Sequence, residues 1–232
     1  MIRVNIFVEG QTEEGFVKNV LAHALRKRDM HARPILVPNT RGATRRRHRG
    51  GISAFEPVRD ALHRNVRSDT GAYTTTLFDY YGLPGTFPGV EHPGCPPPSR
   101  LGDRVDFLEQ HLAQVIGGGR RFIPYLQLHE FEALLFSDID VLDREMSVLD
   151  DRSSSRRRRL RQITDAFDTP EDINDNPDTA PSKRLEALYP GYQKVPFGEL
   201  IAESIGLDVI RDACPRFCAW LDHLEALDPL NA

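Results

Sequence analysis

The feature that most constrains the fold is the alternation of short apolar segments with amphipathic segments over residues 1–140. The first segment, residues 2–8, is apolar on both faces, which is typical of a strand covered by helices in a parallel sheet. Alternation of this kind predicts a doubly wound α/β fold with right-handed crossovers. Strands are predicted at residues 2–8, 32–37, 73–78 and 122–128, and helices at about 12–28, 55–66, 105–116 and from 129 onwards.

The chain changes character near its middle, which predicts a second structural part. Residues 1–140 are expected to form the α/β domain, and residues 141–232 a helical C-terminal region packed on it. Residues 144–182 are highly charged and polar, so flexible segments are expected there. Phe217 and Trp220 lie in an apolar helical pattern and are expected to anchor the C-terminal region against the sheet.

Composition places few restrictions on function but several on location. The apolar runs are much shorter than the roughly 20 residues of a membrane helix, and the N-terminus alternates polar and apolar residues instead of forming a signal sequence. Cys95, Cys214 and Cys218 form neither a disulfide framework nor a zinc signature. We therefore expect a cytoplasmic protein with no membrane association.

Acidic residues follow three of the predicted strands. Glu9 follows the first strand, Asp79 the third, and Glu130 and Glu132 the fourth. Each one alone is a common cap or turn residue, but ligands of such sheets bind where the carboxyl ends of the strands meet. Clustered carboxylates repel one another unless a cation or a proton lies between them, and oxygen ligands suit Mg²⁺ or Mn²⁺. Such a metal can polarise a phosphate and generate a hydroxide nucleophile.

The two glutamates after the fourth strand are not expected to be equivalent. Positions two apart on a helix point about 200° away from each other. We therefore expect one of them to face the site. Glu130 is preferred by its position, and Glu132 is the weaker candidate because it would lie on the outer face of the helix.

Arginine dominates the basic residues, since only four of the 30 Lys and Arg residues are lysine, although the net charge is −4. The guanidinium group binds phosphate through two parallel hydrogen bonds. One cluster follows the second predicted strand and is therefore expected at the same sheet edge, as a contact for nucleic-acid phosphates. Its residues are Arg41, Arg45, Arg46, Arg47 and Arg49. A second cluster, residues 156–159, has no such placement and is interpreted as solvated surface or a protein contact.

Three neighbouring residues are candidates for supporting roles. Gly10 would permit a close backbone approach or an unusual φ angle. His129 would orient a ligand or shuttle a proton, or is a simple polar turn residue. Tyr81, together with Tyr80, would stack on a base or pack in the core.

Four segments carry a resemblance to a known family. They are EGQTEE (residues 9–14), DYYGLPG (79–85), LHEFEALLF (128–136) and CPRFCAWL (214–221). Together they resemble a bacterial Toprim-like family, domain of unknown function 4276. Residues 2–136 resemble the Toprim domain of topoisomerases, primases, small maturation nucleases and overcoming-lysogenization-defect nucleases, which implies a Toprim-like, Rossmann-like sheet.

The resemblance implies metal-dependent phosphodiester chemistry. It assigns Glu9 as general acid/base or metal ligand and Asp79 as a Mg²⁺ ligand. The Toprim pattern is Asp-x-Asp, whereas this chain has Asp79-Tyr80-Tyr81. The second carboxylate is absent, so Glu130 or Glu132 would have to supply the missing oxygen ligands.

The leading hypothesis is a Mg²⁺- or Mn²⁺-dependent nuclease of Toprim type that cleaves DNA or RNA. The resemblance further implies a possible role in anti-phage defence with a separate ATPase partner. The chain has no P-loop motif of its own with which to hydrolyse ATP. The oligomeric state is left open, with a homodimer as one option. The alternatives are a non-catalytic Toprim-like module that binds nucleic acid or a partner protein, and a small phosphotransferase or phosphatase that acts on nucleotides.

Overall fold

The computed structural model describes residues 1–38, 52–147, 153–174 and 178–230 of the 232-residue chain. Within these residues all strand pairs are parallel. The strands are β1 (Ile2–Val8), β2 (Met30–Leu36), β3 (Tyr73–Asp79), β4 (Phe122–Ile123) and β5 (Leu126–Gln127). Their order is β2-β1-β3-β4, with β5 also paired to β3. Since β1 lies between β2 and β3, the chain winds outwards in both directions from its first strand.

Helices cover both faces of this sheet, so the predicted fold class, a mainly parallel α/β sheet with a helical C-terminal region, is confirmed. The helices between strands are α1 (Gln11–Phe16) and α2 (Ala22–Arg26), joined by a π-helical turn (Val17–Leu21), then α3 (Glu56–Ser68) and α4 (Leu101–Ile116). The later helices are α5 (Ile139–Met146), α6 (Ser153–Thr164), α7 (Pro181–Leu188), α8 (Lys194–Ile205), α9 (Leu207–Ala213) and α10 (Pro215–Glu225). Of the helices that the structure describes, none has both the length and the apolar character needed to cross a membrane.

The two faces of the sheet bury separate cores, because successive residues of a strand point to opposite sides. Val4 and Ile6 of β1 belong to a core that continues into the C-terminal helices through Phe217. Phe7 points to the other side and belongs to the core with Leu62 of α3. The C-terminal helices therefore cover one face of the sheet, and α3 and α4 cover the other.

Trp220 of α10 anchors the C-terminal helices to the sheet, as the sequence predicts. Its indole Nε1 donates a hydrogen bond to Thr75 Oγ1 at 2.9 Å, and its ring stacks on Tyr125 with 4.6 Å between ring centroids. Phe217 packs against Phe16 at 6.0 Å between ring centroids. The division into parts at residue 140 stays a prediction, but one continuous core joins them.

The predicted fourth strand is interrupted. Residues 122–128 form two short strands, β4 and β5, on either side of Pro124. Proline has no N–H to donate to the ladder. The Thr76 side chain of β3 replaces part of the missing ladder, because its Oγ1 accepts from the N–H of Tyr125 and donates to the carbonyl of Tyr125, both at 2.8 Å.

The polar stretch of residues 144–182 contains more regular structure than predicted. Its described residues include α6, a 3₁₀ helix (Pro170–Asp172) and the start of α7. Arg156 of α6 is buried, which contradicts its interpretation as solvated surface. Its guanidinium lies 3.7 Å from the carboxylate of the fully buried Asp143 and over the ring of Tyr189. A buried carboxylate requires a nearby cation, and this requirement is not visible in a local sequence pattern.

Glu171 joins the 3₁₀ helix to α10. Its buried carboxylate accepts hydrogen bonds from the backbone N–H groups of Arg216 at 2.7 Å and Phe217 at 3.1 Å. These are first-turn donors of α10, which have no partner within the helix. Glu171 therefore caps α10 from a distant part of the chain.

Replacing Glu171 is expected to destabilise the protein. Glu171→Ala should lower the free energy of unfolding by about 1–3 kcal/mol, because buried donors lose their acceptor. Glu171→Gln should cost less, since an amide oxygen can still accept. Urea denaturation measures both changes in the free energy of unfolding. Glu203→Ala, at an exposed position of α8, is the control. If Glu171→Ala and Glu171→Gln lower the free energy of unfolding equally, the charge of Glu171 stabilises the protein and its hydrogen bonds do not.

Candidate active site

The carboxylates after β1 and β3 are connected directly. Glu9 follows β1, and its Oε1 accepts the backbone N–H of Asp79, the last residue of β3, at 2.9 Å. Asp79 Oδ1 in turn accepts the N–H of Phe131 at 2.8 Å. Both carboxylates are partly buried. The structure therefore brings Glu9 and Asp79 together at the carboxyl edge of the sheet, beside the segment that follows β5.

Glu130 and Glu132 are both buried, and they share one cation. Lys194, the first residue of α8, places its Nζ 3.5 Å from Glu130 Oε1 and 3.0 Å from Glu132 Oε2. The expectation that Glu132 lies on an outer face is therefore wrong, since its exposure is 1%. Glu130 has extended backbone angles and precedes a 3₁₀ helix (Phe131–Ser137). The angular spacing of a regular α-helix therefore does not apply to this pair.

The C-terminal region supplies further contacts to the same two glutamates. Glu130 Oε2 accepts the N–H of Ser182, near the start of α7, at 2.9 Å. Glu132 Oε1 accepts the hydroxyl of Tyr192 at 3.5 Å. Residues from beyond position 180 thus form one side of a site whose other side is the sheet edge.

Glu13 is a carboxylate of this site that the sequence analysis missed. It lies one turn after Glu9, at the start of α1. A Cβ built on Gly10 would lie 3.0 Å from Glu13 Oε2, while the φ of Gly10, −143°, suits any residue. Gly10 therefore provides space for the Glu13 carboxylate and no unusual backbone angle. Its position in the first turn of α1, directly after β1, is the signal that points to it.

The pKa values show an excess of negative charge at this edge. Burial, followed by the charge of Glu13, raises the pKa of Glu9 to about 8. Burial and the charges of Glu13 and Glu9 raise the pKa of Asp79 well above its usual range. Burial also raises the pKa of Glu132 to about 7, although the ammonium of Lys194 opposes this. One lysine does not neutralise the group.

Lys194 itself stays charged. Its partial burial would lower its pKa, but the neighbouring carboxylates, Glu132 and Glu130 first, outweigh burial and raise the pKa overall. Lys194 lies in no motif or strand-end pattern of the sequence. It is one of only four lysines in an arginine-rich chain, which is the only local signal that it offers.

The supporting residues lie beside the cluster. Tyr81 donates its backbone N–H to the carbonyl of His129 at 2.8 Å, which continues the β3–β5 pairing. His129 has a positive φ of 60°, and its Nδ1 lies 3.1 Å from the side-chain amide of Asn174. Burial lowers the pKa of His129, which favours the neutral ring. The hydroxyl of Tyr80 accepts from Arg104 at 2.9 Å.

The arginines predicted to contact phosphate, Arg41, Arg45, Arg46, Arg47 and Arg49, lie outside the described residues. The described residues on either side of them lie at the site. The N–H of Val37 donates to the carbonyl of Val8 at 3.0 Å. The backbone of Ile52 hydrogen-bonds the carboxylate of Glu9.

The residue types at the site suit a divalent cation, but their side chains are not arranged to bind one. Every candidate ligand is a carboxylate oxygen, the donor that Mg²⁺ and Mn²⁺ prefer. Burial, with repulsion from the neighbouring carboxylates, raises the pKa values of Glu9, Asp79 and Glu132, and a bound cation would favour their charged forms. Nevertheless, in residues 1–38, 52–147, 153–174 and 178–230 no three His, Cys, Asp or Glu side chains are arranged to hold a metal ion. Metal binding would therefore require side-chain movement.

Comparisons with known proteins give a family and a weak structural likeness. The family model described as domain of unknown function (DUF4276) matches residues 8–225. No curated protein matches the chain. The C-terminal region of the Xanthomonas campestris pv. campestris OLD protein is similar, with a TM-score of 0.48 and 16% identity over 97% of this chain and 95% of that chain. The roles of the site residues therefore depend on the contacts described above.

The stability of the protein without divalent ions should fall as the pH rises from about 4.5 towards about 8. Glu9 has a folded-state pKa of about 8 and Glu132 of about 7, against 4.5 ordinarily. Between these pKa values the folded protein still holds protons that the unfolded chain has released. The contribution of these protons to the free energy of unfolding is therefore complete below pH 4.5, and it is lost as the pH rises through the folded-state pKa values of about 7 and about 8. Urea denaturation at several pH values measures this.

Substitution at Glu9 provides the internal test of this pH profile. Glu9→Gln removes the group with the higher pKa and should flatten the upper part of the profile. Gln at the exposed Glu203 should leave the profile unchanged. A wild-type profile that is already flat across this window would contradict the raised pKa values of Glu9 and Glu132.

Proposed function

The chain belongs to the family described as domain of unknown function 4276, and we propose that it is a metal-dependent, Toprim-type nuclease that hydrolyses phosphodiester bonds of DNA or RNA. The observation that carries this proposal is the convergence of Glu9, Asp79 and Glu130 at one sheet edge beside Lys194. The sequence resemblance to Toprim domains supports it. No local motif for another hydrolytic chemistry competes with it.

The carboxylates have separable roles in this proposal. Asp79 and Glu130, with Glu9 and Glu132, would hold Mg²⁺ or Mn²⁺, and Glu13 would complete the oxygen set. A bound divalent ion supplies polarisation of the phosphate and a more acidic water. Without a bound ion the pKa of Glu9 is about 8, so this carboxyl would either release its proton to bind the ion or serve as general acid/base near neutral pH.

Lys194 would act on the substrate through its fixed charge. Its ammonium is partly exposed and lies among the carboxylates, so it can approach a phosphate bound at the same edge. A preorganised cation at a site of developing negative charge stabilises a transition state. In the absence of substrate the ammonium is held by Glu130 and Glu132.

The wider functional assignments remain parts of this proposal. Nucleic acid would be held by Arg41, Arg45, Arg46, Arg47 and Arg49, whose flanking residues lie at the site. The resemblance to overcoming-lysogenization-defect nucleases supports a role in anti-phage defence with a separate ATPase partner. The homodimer and the cytoplasmic location also remain predictions.

A second candidate function is a non-catalytic module that binds nucleic acid or a partner protein. Two observations favour it. Lys194 occupies the space between Glu130 and Glu132, and the described side chains include no three-ligand metal group. The two candidates differ in whether a divalent ion binds and whether the polymer is cut.

Cleavage of labelled plasmid, single-stranded DNA and RNA with Mg²⁺ or Mn²⁺ tests the nuclease. Wild type is expected to cut at least one of them. Glu9→Gln and Asp79→Asn should each reduce the rate at least about 100-fold, since even outer-shell changes cost 10–100-fold at metal sites. Both replacements preserve size, so loss of activity with unchanged thermal unfolding would assign the defect to chemistry.

The outcome for metal binding separates the two candidates. Calorimetric binding of Mn²⁺ to wild type, lost in Asp79→Asn, is expected for the nuclease. Absence of both cleavage and metal binding would reject it in favour of the binding module. Glu203→Gln, which removes a carboxylate outside the site, is the control.

Nucleic-acid binding without divalent ions tests the arginine cluster after β2. Arg45→Gln, Arg46→Gln and Arg47→Gln combined should weaken binding and reduce the salt dependence by about one unit of log–log slope for each lost phosphate contact. Fluorescence anisotropy at several salt concentrations measures this. An unchanged slope would show that these side chains do not contact the backbone.

A further inference from the structure

A second group of arginines lies at the opposite, amino edge of the sheet. Arg64 and Arg67 lie on the last turns of α3 and are exposed. Arg120 and Arg121 lie on the 3₁₀ helix (Gly119–Arg121) that precedes β4. Two elements that are distant in sequence thus contribute to one basic surface, which we call the α3 arginine surface and define as Arg64, Arg67, Arg120 and Arg121.

Direct contacts hold the two elements together. Arg121 donates a hydrogen bond from Nη1 to the carbonyl of Val66, at the end of α3, at 3.0 Å. A Cβ built on Gly118 would lie only 2.6 Å from a methyl of Val66, and Gly118 has a φ of +85°. Only glycine therefore allows the turn to lie this close to α3. The glycine run thus positions the turn that carries Arg120 and Arg121 against the end of α3.

The acidic residues near this surface are already engaged by other arginines. Asp69 pairs with Arg3 at 2.7 Å, and Asp60 pairs with Arg59 at 3.0 Å. In the part of the chain that the structure describes, none of the four arginines of the surface takes part in an ion pair. A helix C-terminus attracts cations, which accounts for Arg67 but not for the arginines of the separate turn.

The α3 arginine surface includes a shallow depression, and α3 itself connects the surface to the edge of the sheet where the candidate active site lies. Residues of one face of α3 line a shallow depression of about 680 Å³; they are Asp60, His63, Arg64, Arg67 and Ser68. The N-terminal end of α3 lies at the edge of the sheet where the candidate site is. There the N–H of Phe55 donates a hydrogen bond to the Thr86 hydroxyl, in the loop that follows Asp79. A helix of 13 residues is about 20 Å long, the length of about six base pairs.

We propose that the α3 arginine surface binds the phosphate backbone of the nucleic acid whose phosphodiester bond lies at the carboxyl edge. This rests on the proposed nuclease function. The surface would hold the duplex about six base pairs from the point of cleavage. Its contacts are to phosphate, so they add affinity and position without sequence preference.

The test is equilibrium binding of a fluorescent duplex of about 20 base pairs, with EDTA present so that nothing is cut. Arg64→Gln, Arg67→Gln and Arg120→Gln are combined; Arg121 is retained because it also bonds α3. We expect affinity at low salt to fall at least about 10-fold, and the slope of log K against log salt to decrease by about 2–3. The corresponding lysine variant should recover much of the binding, since phosphate also accepts a point charge.

The charge-matched control is Arg158→Gln, Arg159→Gln and Arg161→Gln combined, on the exposed side of α6. It should bind like wild type. The proposal is overturned if the α3 variant keeps wild-type affinity and slope, if the α6 control loses as much, or if wild type binds no duplex. Because binding is measured without metal, a protein that binds through this surface but never cleaves would reject the nuclease and leave the surface in place.

Discussion

The ion pairing of Lys194 with Glu130 and Glu132 is the interaction on which the candidate site depends. Two buried carboxylates so close together are strongly unfavourable without a cation, because their repulsion and their desolvation add. The ammonium comes from the first residue of α8 and not from the sheet domain. The C-terminal helices are therefore a component of the site, and α8 is held in place by Ile201 and Ile205, which are buried in the core that it shares with the sheet.

The sequence predicted the features that depend on local periodicity. The parallel sheet and the strand ends at Glu9 and Asp79 follow from patterns within ten residues or so of each position. Glu13 was visible in principle, because the first turn of a helix that follows a strand lies at the carboxyl edge of the sheet, where ligands of such folds bind. Lys194 was not visible, since its partners lie far away in the chain. The break between β4 and β5 needed the tertiary contact of Thr76 as well as Pro124.

Charge balance explains why a divalent ion is the expected ligand. Burial raises the pKa of Glu9, Asp79 and Glu132 even with Lys194 present. The folded protein can relieve this excess by holding protons or by binding a further cation. An oxygen-only donor set selects a hard ion, and binding it would release those protons. Lys194 would then be free of part of its ion pairing and available to a phosphate.

The missing second aspartate of the Toprim pattern has a structural counterpart. Position 81 lies two residues beyond Asp79, in the turn that follows β3, and carries no carboxylate. Tyr81 instead pairs its N–H with the carbonyl of His129. Glu130 is the next residue along that neighbouring segment. Asp79 Oδ1 accepts the N–H of Phe131, the residue that follows Glu130. Asp79 therefore lies beside the backbone that carries Glu130. In the proposed nuclease, Glu130 would supply the oxygen ligand that position 81 lacks.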